Sequence, residues 1–381
     1  VRRIGQTTGI TTGEIRSANV TITTDSGVTL TNTFRYTNDG QGGDSGGPVY
    51  FDDGTNLYLI GMHFASGNVF LGGRQGYACR ITNVMNTLNV TPITNDSFNT
   101  TNLSGGGIQL DYINFTPTGA FVIPSELGGR TVTSIGTSAF SNQTGITSVE
   151  IPSAVTQIGN SAFAGRSSIT SVTFAAGSQL QTIGNSAFSG VMCNGFVIPA
   201  SVTSIGSGAF SGCSGLTSIS VASGNGVFKS EGNCVIRKSD NALILGCKTS
   251  IIPNYATSIG ERAFIGSGLT SITIPDGVTS IGDFAFANCG DLTLINFNAT
   301  AMTDLSRGSD VFYRAGQNGS GITVNIGVNV TKIPACLFYY VSKITYVNFA
   351  DGSACETIGN DAFAGCSGLT GITIPDGVTS L

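Results

Sequence analysis

The chain's clearest concentration of chemical potential is Gly42-Gly43-Asp44-Ser45-Gly46-Gly47-Pro48. A serine in a glycine-rich bend presents its hydroxyl on a backbone that a ligand can approach closely. Successive bent peptides can also aim N–H groups at one point, the arrangement that stabilises a developing oxyanion. A nucleophilic serine further needs a base within hydrogen-bond reach and a group that orients the base. The chain has one histidine, His63, and it follows Ser45. A glycine-rich turn without catalytic consequence has the same composition, so these residues alone leave both readings open.

Cysteine is the other reactive residue type, with nine copies. Cys213, Cys289 and Cys366 each stand three residues after a phenylalanine. A free cysteine behaves as a small core hydrophobe, so this register predicts a stacked row of buried thiols. Neither a Cys-x2-Cys step nor a histidine cluster accompanies them, and no metal or other cofactor is expected. Cys234 and Cys247 flank a hairpin-like stretch, NCVIRKSDNALILGC. They can pair in an oxidising compartment, although spacing alone does not decide it.

Two kinds of chain must position these residues, and both are mainly β. Up to about Thr91 the sequence reads as short β segments at Glu14–Thr23, Val28–Tyr36, Val49–Phe51, Leu57–Phe64 and Gly76–Ile81. Gly, Asn and Asp turns separate them, as in a small barrel or sandwich. Residues 93–107 are rich in Asn, Thr and Ser, end in three glycines and read as a linker. From residue 108 to 381 a repeat takes over. Its anchors are Phe140, Phe163, Phe188, Phe210, Phe264, Phe286, Phe312, Phe338 and Phe363, spaced 22 to 26 residues apart except for one gap of 54. The apolar positions around Phe210 are Val202, Ile205, Cys213, Leu216, Ile219 and Val221, and the same offsets recur around Phe286 and Phe363. One such unit cannot bury its apolar side, whereas stacked units share a continuous core, so a solenoid is expected. Within the long gap, residues 228–253 read as a β-hairpin with a Ser-Asp-Asn turn in place of a regular unit. The outward strand positions, such as Thr217, Ser218, Thr270 and Ser271, make a flat, weakly charged face with no aromatic ladder or charge cluster.

Charged residues make up 10% of the chain, against roughly 25% in ordinary globular domains. With 17 basic and 22 acidic residues the net charge is −5, and the basic residues do not cluster beyond Arg2-Arg3. Nucleic acid is therefore not an expected partner, and no apolar run approaches the length of a membrane span. The chain opens at Val1 without Met and ends at Leu381 in IPDGVTSL, where the earlier copy at Ile274–Phe286 continues IPDGVTSIGDFAF. The expectation is a fragment, cut at both ends.

The IP-x-x-V-T-x-IG-x-x-AF-x-x-C-x-x-L pattern resembles the BspA-like leucine-rich repeats of bacterial and protist surface proteins. GDSGGP resembles the segment around the nucleophile of trypsin-like serine proteases. Val1–Gly9 is similar to the strand that opens the second barrel of members related to α-lytic protease. Leu59–Gly67 resembles the strand that walls their specificity pocket, Gly76–Ile81 the strand that follows it, and Val84–Val90 the terminal segment. The combined resemblance implies one β-barrel of a chymotrypsin-like protease over residues 1–92, followed by a leucine-rich-repeat solenoid.

By that resemblance Ser45 is the nucleophile, Gly43 and Ser45 supply the oxyanion N–H groups, and Asp44 is a buried carboxylate paired with Arg3. His63, in a Gly-x-His-x-x-Gly pattern like that of glutamyl endopeptidases and viral 3C-type proteases, implies a pocket for Glu or Gln. Asp39, six residues before Ser45, implies instead a pocket for Lys or Arg; a pocket with neither preference is the third reading. The relatives' first strands carry a cysteine pair where this chain has Arg2 and Thr12. Their catalytic His and Asp precede the serine, in a first barrel that this sequence lacks.

Two functions follow as expectations. One is a secreted or surface serine endopeptidase, acting on polypeptide and tethered to a repeat domain that takes a protein or glycan ligand. The alternative is a non-catalytic adhesion or interaction protein with a vestigial protease half; a spacer role for the solenoid and an immune-type pattern receptor are further readings. In each the protein is extracellular or at the cell surface.

Overall fold

The computed structural model describes residues 97–381 throughout and, before them, the backbone of seven strands. Five of those strands form an antiparallel sheet in the order Gly9–Thr12, Arg2–Gly5, Pro48–Asp52, Leu57–His63, Val69–Phe70. Thr21–Thr23 and Thr29–Thr31 pair as a separate antiparallel hairpin. Closure of this sheet into a barrel lies outside the described residues, as do the expected strand Gly76–Ile81 and the terminal segment Val84–Val90. The chain divides into two compact units, Val1–Phe98 and Asn99–Leu381.

The second unit is a β-solenoid, and among the described residues it contains no α-helix. Most repeats contribute two strands, one on either side of the anchor phenylalanine; the Phe312 unit lacks the first and the Phe363 unit the second. The first is short, as at Gln157–Ile158, Thr182–Ile183 and Ser204–Ile205, and these pair in parallel from one unit to the next, starting from the end of the longer strand Arg130–Ile135. The second is longer, as at Ser271–Ile274, Leu294–Phe297, Ile322–Ile326 and Ile344–Phe349, again in parallel register. Parallel pairing follows from the repeat, because consecutive copies run the same way around the same path. The period-two alternation expected at the end of each unit is present: Ile272 and Ile274 are buried while Ser271 and Thr273 are exposed.

The core lies between the two strand rows. Around Phe286 all six predicted inward positions, Val278, Ile281, Cys289, Leu292, Ile295 and Phe297, are buried. The anchors stack ring on ring. Phe140, Phe163, Phe188 and Phe210 follow at centroid separations of 4.4, 5.3 and 5.4 Å. Phe264, Phe286, Phe312, Phe338 and Phe363 follow at 5.0, 5.0, 5.5 and 5.3 Å. Offset-stacked aromatic pairs at such distances contribute about 0.5–1.5 kcal/mol each beyond their burial.

A glycine row sets how closely units approach. A Cβ on Gly184 would lie 2.7 Å from the backbone of Gly159 and Asn160, and one on Gly282 would lie 2.4 Å from Glu261 N. Threonines close the corners: Thr170 Oγ1 donates to Thr147 O at 3.2 Å, and Thr293 Oγ1 to Thr270 O at 3.1 Å. On the strand face Asn348, Asn325 and Asn296 form a side-chain ladder ending on Thr273, with bonds of 3.0 to 3.1 Å. The expected bare face is thus crossed by an amide ladder, and beside it Tyr346 is 64% exposed.

The expected hairpin forms and has one strand more than the sequence indicated. Phe228–Glu231, Cys234–Arg237 and Ala242–Gly246 make an antiparallel meander, after which Ala242–Leu243 pairs in parallel with Ser258–Ile259. Buried Asn225 fixes its entry. Its Nδ2 donates to Pro199 O at 3.1 Å and Val202 O at 2.9 Å, and its Oδ1 accepts from Val227 N and Phe228 N. Arg237 and Asp240 pair at 2.7 Å across the turn. Cys234 and Cys247 are separate buried thiols. The segment assigned to a linker contributes a strand, Phe98–Asn102, hydrogen-bonded beside Ile108–Ile113. Thr101 Oγ1 holds Asp111 at 2.7 Å, and Arg130 reaches Asn102.

Candidate functional site

The turn around each anchor has two demanding backbone positions. The residue two before the phenylalanine has positive φ in every unit, for example Ser138 (56°), Ser161 (54°), Phe284 (57°) and Asp361 (57°). The residue two after it does so in most units. There the chain uses Gly165, Gly190, Gly212, Gly266 and Gly365, the residue that adopts φ > 0 at least cost. Three units depart from this: Asn288 (55°), Arg314 (55°) and Tyr340 (54°). Left-handed backbone costs a residue with a Cβ about 1–2 kcal/mol, and Asn is the side chain that tolerates it best.

Hydrogen bonds carry most turns onto the next, the exception being the Phe312 turn, which makes no such bond to the Phe338 turn. The anchor N–H donates to the carbonyl before the following anchor, as in Phe163 N to Ala187 O at 2.8 Å and Phe338 N to Ala362 O at 2.9 Å. Tyr340 N likewise reaches Ala364 O at 2.7 Å. The turns therefore form an edge, with the two residues after each anchor at least partly exposed in every unit but that of Phe286, where Ala287 is buried. In most units that pair is small: Ala164-Gly165, Ser189-Gly190, Ser211-Gly212, Ala364-Gly365. In two adjacent units it is Tyr313-Arg314 and Tyr339-Tyr340.

These four residues give two adjacent units, whose anchors Phe312 and Phe338 stack at 5.5 Å, an aromatic and cationic surface. Tyr313 is 40% and Tyr340 63% exposed. The Tyr339 and Tyr340 rings meet edge-to-face at 4.6 Å. Tyr340 lies over Gly365, where a Cβ would come within 2.9 Å of the ring. The Arg314 guanidinium sits 5.3 Å from the Tyr313 centroid, and that of Arg307 is 5.8 Å from Tyr339. Arg307 is also tied to Asp361, with Nη2 to Oδ2 at 2.7 Å and Nε to Oδ2 at 2.9 Å. That pairing raises the Arg307 pKa further above its already high value. Nearby in the chain, Asp304 accepts from Lys332 Nζ at 2.7 Å and from Ala335 N at 2.8 Å. Those two donors hold its carboxyl below the usual range. The sequence reading looked for aromatic and charged residues on the strand face and found none; this surface stands on the turn edge instead. The signal was present as FYRAG at 312–316 and FYY at 338–340, where the other units read AFxG or AFxN.

The cysteines are buried as the register predicted, but they are not a continuous row of thiols. At the equivalent position the intervening units place Val191, Ser267, Ala315 and Val341. Each thiol instead hydrogen-bonds the anchor carbonyl of the unit stacked before it. Cys213 reaches Phe188 O, Cys289 reaches Phe264 O and Cys366 reaches Phe338 O, each at 3.1 Å. Burial pushes Cys213 to about 12 and Cys289 and Cys366 to about 11, so all three are protonated and unreactive at neutral pH. Among the described residues no group of three His, Cys, Asp or Glu side chains is placed to hold a metal ion, and no helix is long and apolar enough to cross a membrane.

Of the residues singled out in the first unit, Asp39, Gly43, Asp44 and Ser45 lie outside the described residues. Arg3 and His63 fall in strands whose backbone is described. Arg3 is in register with Thr11 on one side and Val49 on the other, and His63 with Val69.

Residues 130–238 and 244–317 match, in six copies, the family described as the BspA type leucine rich repeat region. Among solved structures, the chain is similar to a leucine-rich repeat protein from Eubacterium ventriosum, with 22% identity over 74% of this chain and 90% of that one and a TM-score of 0.42. It is similar to the pneumococcal vaccine antigen PcpA at 17% identity over 76% and 92%, TM-score 0.42. A leucine-rich cell surface protein from Faecalibacterium prausnitzii matches at 20% identity over 69% and 96%, TM-score 0.32. No curated protein matches the chain. Residues 130–238 and 244–317 thus match BspA-type leucine-rich repeats, and the stacked phenylalanines carry the same kind of unit on to Phe363.

Proposed function

We propose that this chain is a non-catalytic binding protein, displayed outside the cell or on its surface, whose repeat solenoid holds the ligand at the turn edge around Tyr313 and Tyr340. The observation that carries this is the exchange of Ser, Ala and Gly for Tyr313-Arg314 and Tyr339-Tyr340 at outward positions. Arg314 is exposed, packs on Tyr313 and sits on backbone that suits glycine, as does Tyr340, whose exposed ring covers Gly365 and meets Tyr339. Strained residues with exposed side chains point to function. The test is to screen the labelled full chain against arrayed proteins and glycans, beside a variant carrying Tyr313→Ser, Arg314→Gly, Tyr339→Ala and Tyr340→Gly. Ligands bound by the first and lost by the second are expected. An array on which the two chains behave alike refutes the reading.

A second reading attaches to residues 1–92 and rests on the Gly42–Pro48 sequence. In it this segment is the second barrel of a trypsin-like serine endopeptidase acting on polypeptide. Ser45 is the nucleophile, the Gly43 and Ser45 N–H groups hold the oxyanion, and Arg3 neutralises Asp44. His63 or Asp39 sets the specificity pocket. The antiparallel pairing of Arg2–Gly5 with Pro48–Asp52, and of Pro48–Asp52 with Leu57–His63, is compatible with it. With His63 as the sole histidine, following the serine, general-base catalysis needs a His and an Asp from sequence upstream of Val1. A fluorophosphonate probe should label Ser45 only in a longer gene product that supplies them. If such a product does not label, residues 1–92 are vestigial and the binding function stands alone.

A further inference from the structure

Arg314 is set apart from the other arginines of the described residues. Arg237, Arg262 and Arg307 each pair with a carboxylate within 2.9 Å. Arg130 and Arg166 donate to side-chain or backbone oxygens. Arg314 has the Tyr313 ring beneath its guanidinium and, among the described residues, no acceptor of its own. Its backbone is held in the left-handed region, at a position where five other units use glycine. A guanidinium oriented by an aromatic face, with its donor fork open, is pre-organised for a bidentate carboxylate.

The surroundings define what carries that carboxylate. The neighbouring unit offers two tyrosine rings in edge-to-face contact, one of them 63% exposed. Tyr and Arg are the residues that concentrate in the centres of protein–protein interfaces, where Ser and Ala are depleted. Here they replace Ser, Ala and Gly. Asp361, which reaches this surface through Arg307, and Asp304 are engaged by other cations and leave Arg314 to an incoming carboxylate.

We propose that the edge binds a polypeptide segment that presents an Asp or Glu carboxylate to Arg314 and lays apolar side chains against Tyr339 and Tyr340. The inference deepens the binding function proposed above and depends on it. The test is to pan a random-peptide display library on the full chain, then measure synthetic copies of the enriched peptides by fluorescence polarisation. The enriched peptides should share an acidic residue. Arg314→Gln should weaken them about tenfold or more, and changing the peptide's Glu to Gln should cost the same with no further loss in the Arg314→Gln chain. Arg314→Gly, which suits the backbone, guards against a folding artefact and should lose affinity equally. Enriched peptides without an acidic residue, or affinities that Arg314→Gln leaves unchanged, overturn the proposal. So does a panel in which polygalacturonate, and no peptide, binds in an Arg314-dependent way. If ligands are lost with the tyrosines but not with Arg314, the carboxylate contact fails while the binding edge survives.

Discussion

Replacing Phe286 by Ala tests whether the ring stack is the main support of the solenoid. Phe286 is fully buried and sits between two partners, with Phe264 and Phe312 each 5.0 Å away and nearly parallel to it. Large-to-small changes at buried aromatics cost about 3–5 kcal/mol. Two stacking contacts place this site at the upper end, near 4–5 kcal/mol. Phe363 supplies the internal control, since it is only partly buried and has one partner in the stack, Phe338 at 5.3 Å. Its removal should cost about 1–2 kcal/mol. Urea unfolding followed by circular dichroism would read both. Repeat arrays can lose two-state behaviour, so hydrogen exchange of the anchor amides should accompany it, with protection falling first in the units on either side of position 286. A Phe286→Ala variant no less stable than Phe363→Ala would refute the view that stacked anchors hold the units together.

Three further outcomes are expected. Cys213 and Cys234 are pushed to about 12, and Cys193, Cys289 and Cys366 to about 11, above the ordinary value of 9.0. The unfolded chain therefore releases these protons first; stability is complete below pH 9 and is lost as pH rises through the folded values. Alkaline titration of the reduced protein should show this, and Cys289→Ala should flatten the slope. Gly184→Ala places a methyl 2.7 Å from backbone atoms and should cost about 2 kcal/mol or more. Gly177→Ala, with open space but a φ of 75°, should cost about 1 kcal/mol; equal losses at the two sites would show that unit spacing is slack. Tyr340→Gly relieves about 1–2 kcal/mol of backbone strain against about 0.5–1 kcal/mol of added chain entropy. Its melting temperature should thus stay near that of the parent while ligand binding falls.

How much of this was legible in the sequence depended on which interactions repeat. The anchors and the six apolar offsets could be read directly, because the same residue types recur at a fixed spacing and the core faces them every time. The irregular unit announced itself by its missing Ala-Phe pair, and its Lys238–Asn241 turn by composition. What escaped was set by backbone conformation and by the neighbouring unit. Nothing in SAF or GAF states that the residue before the pair is left-handed, since Ser161 and Gly208 occupy the same place. The acceptor of each cysteine belongs to another repeat. The aromatic turn edge was missed because outward residues were sought on the strands, where alternation makes them easy to find. A turn has no such period, and Tyr313 and Tyr340 stand out only once the turns are stacked. For the first unit no repetition was available, and the reading of Ser45 rests on one short motif.

The hand-over of hydrogen bonds from turn to turn bears on how such a gene changes length. From Phe140 to Phe188 each anchor amide finds its acceptor in the next copy, and these copies are built alike, so Phe163 N and Phe188 N meet the same kind of carbonyl; Phe312 N makes no such bond. Recombination between two copies that adds or removes one whole period would leave every donor with an equivalent acceptor. The stretch from Asn225 to Ile265 is not interchangeable in this way, because Gly212 N bonds Ile265 O and Asn225 bonds backbone on both sides of the break. Descendants of this sequence should therefore vary in copy number within the run before Phe210, and keep a single meander after it.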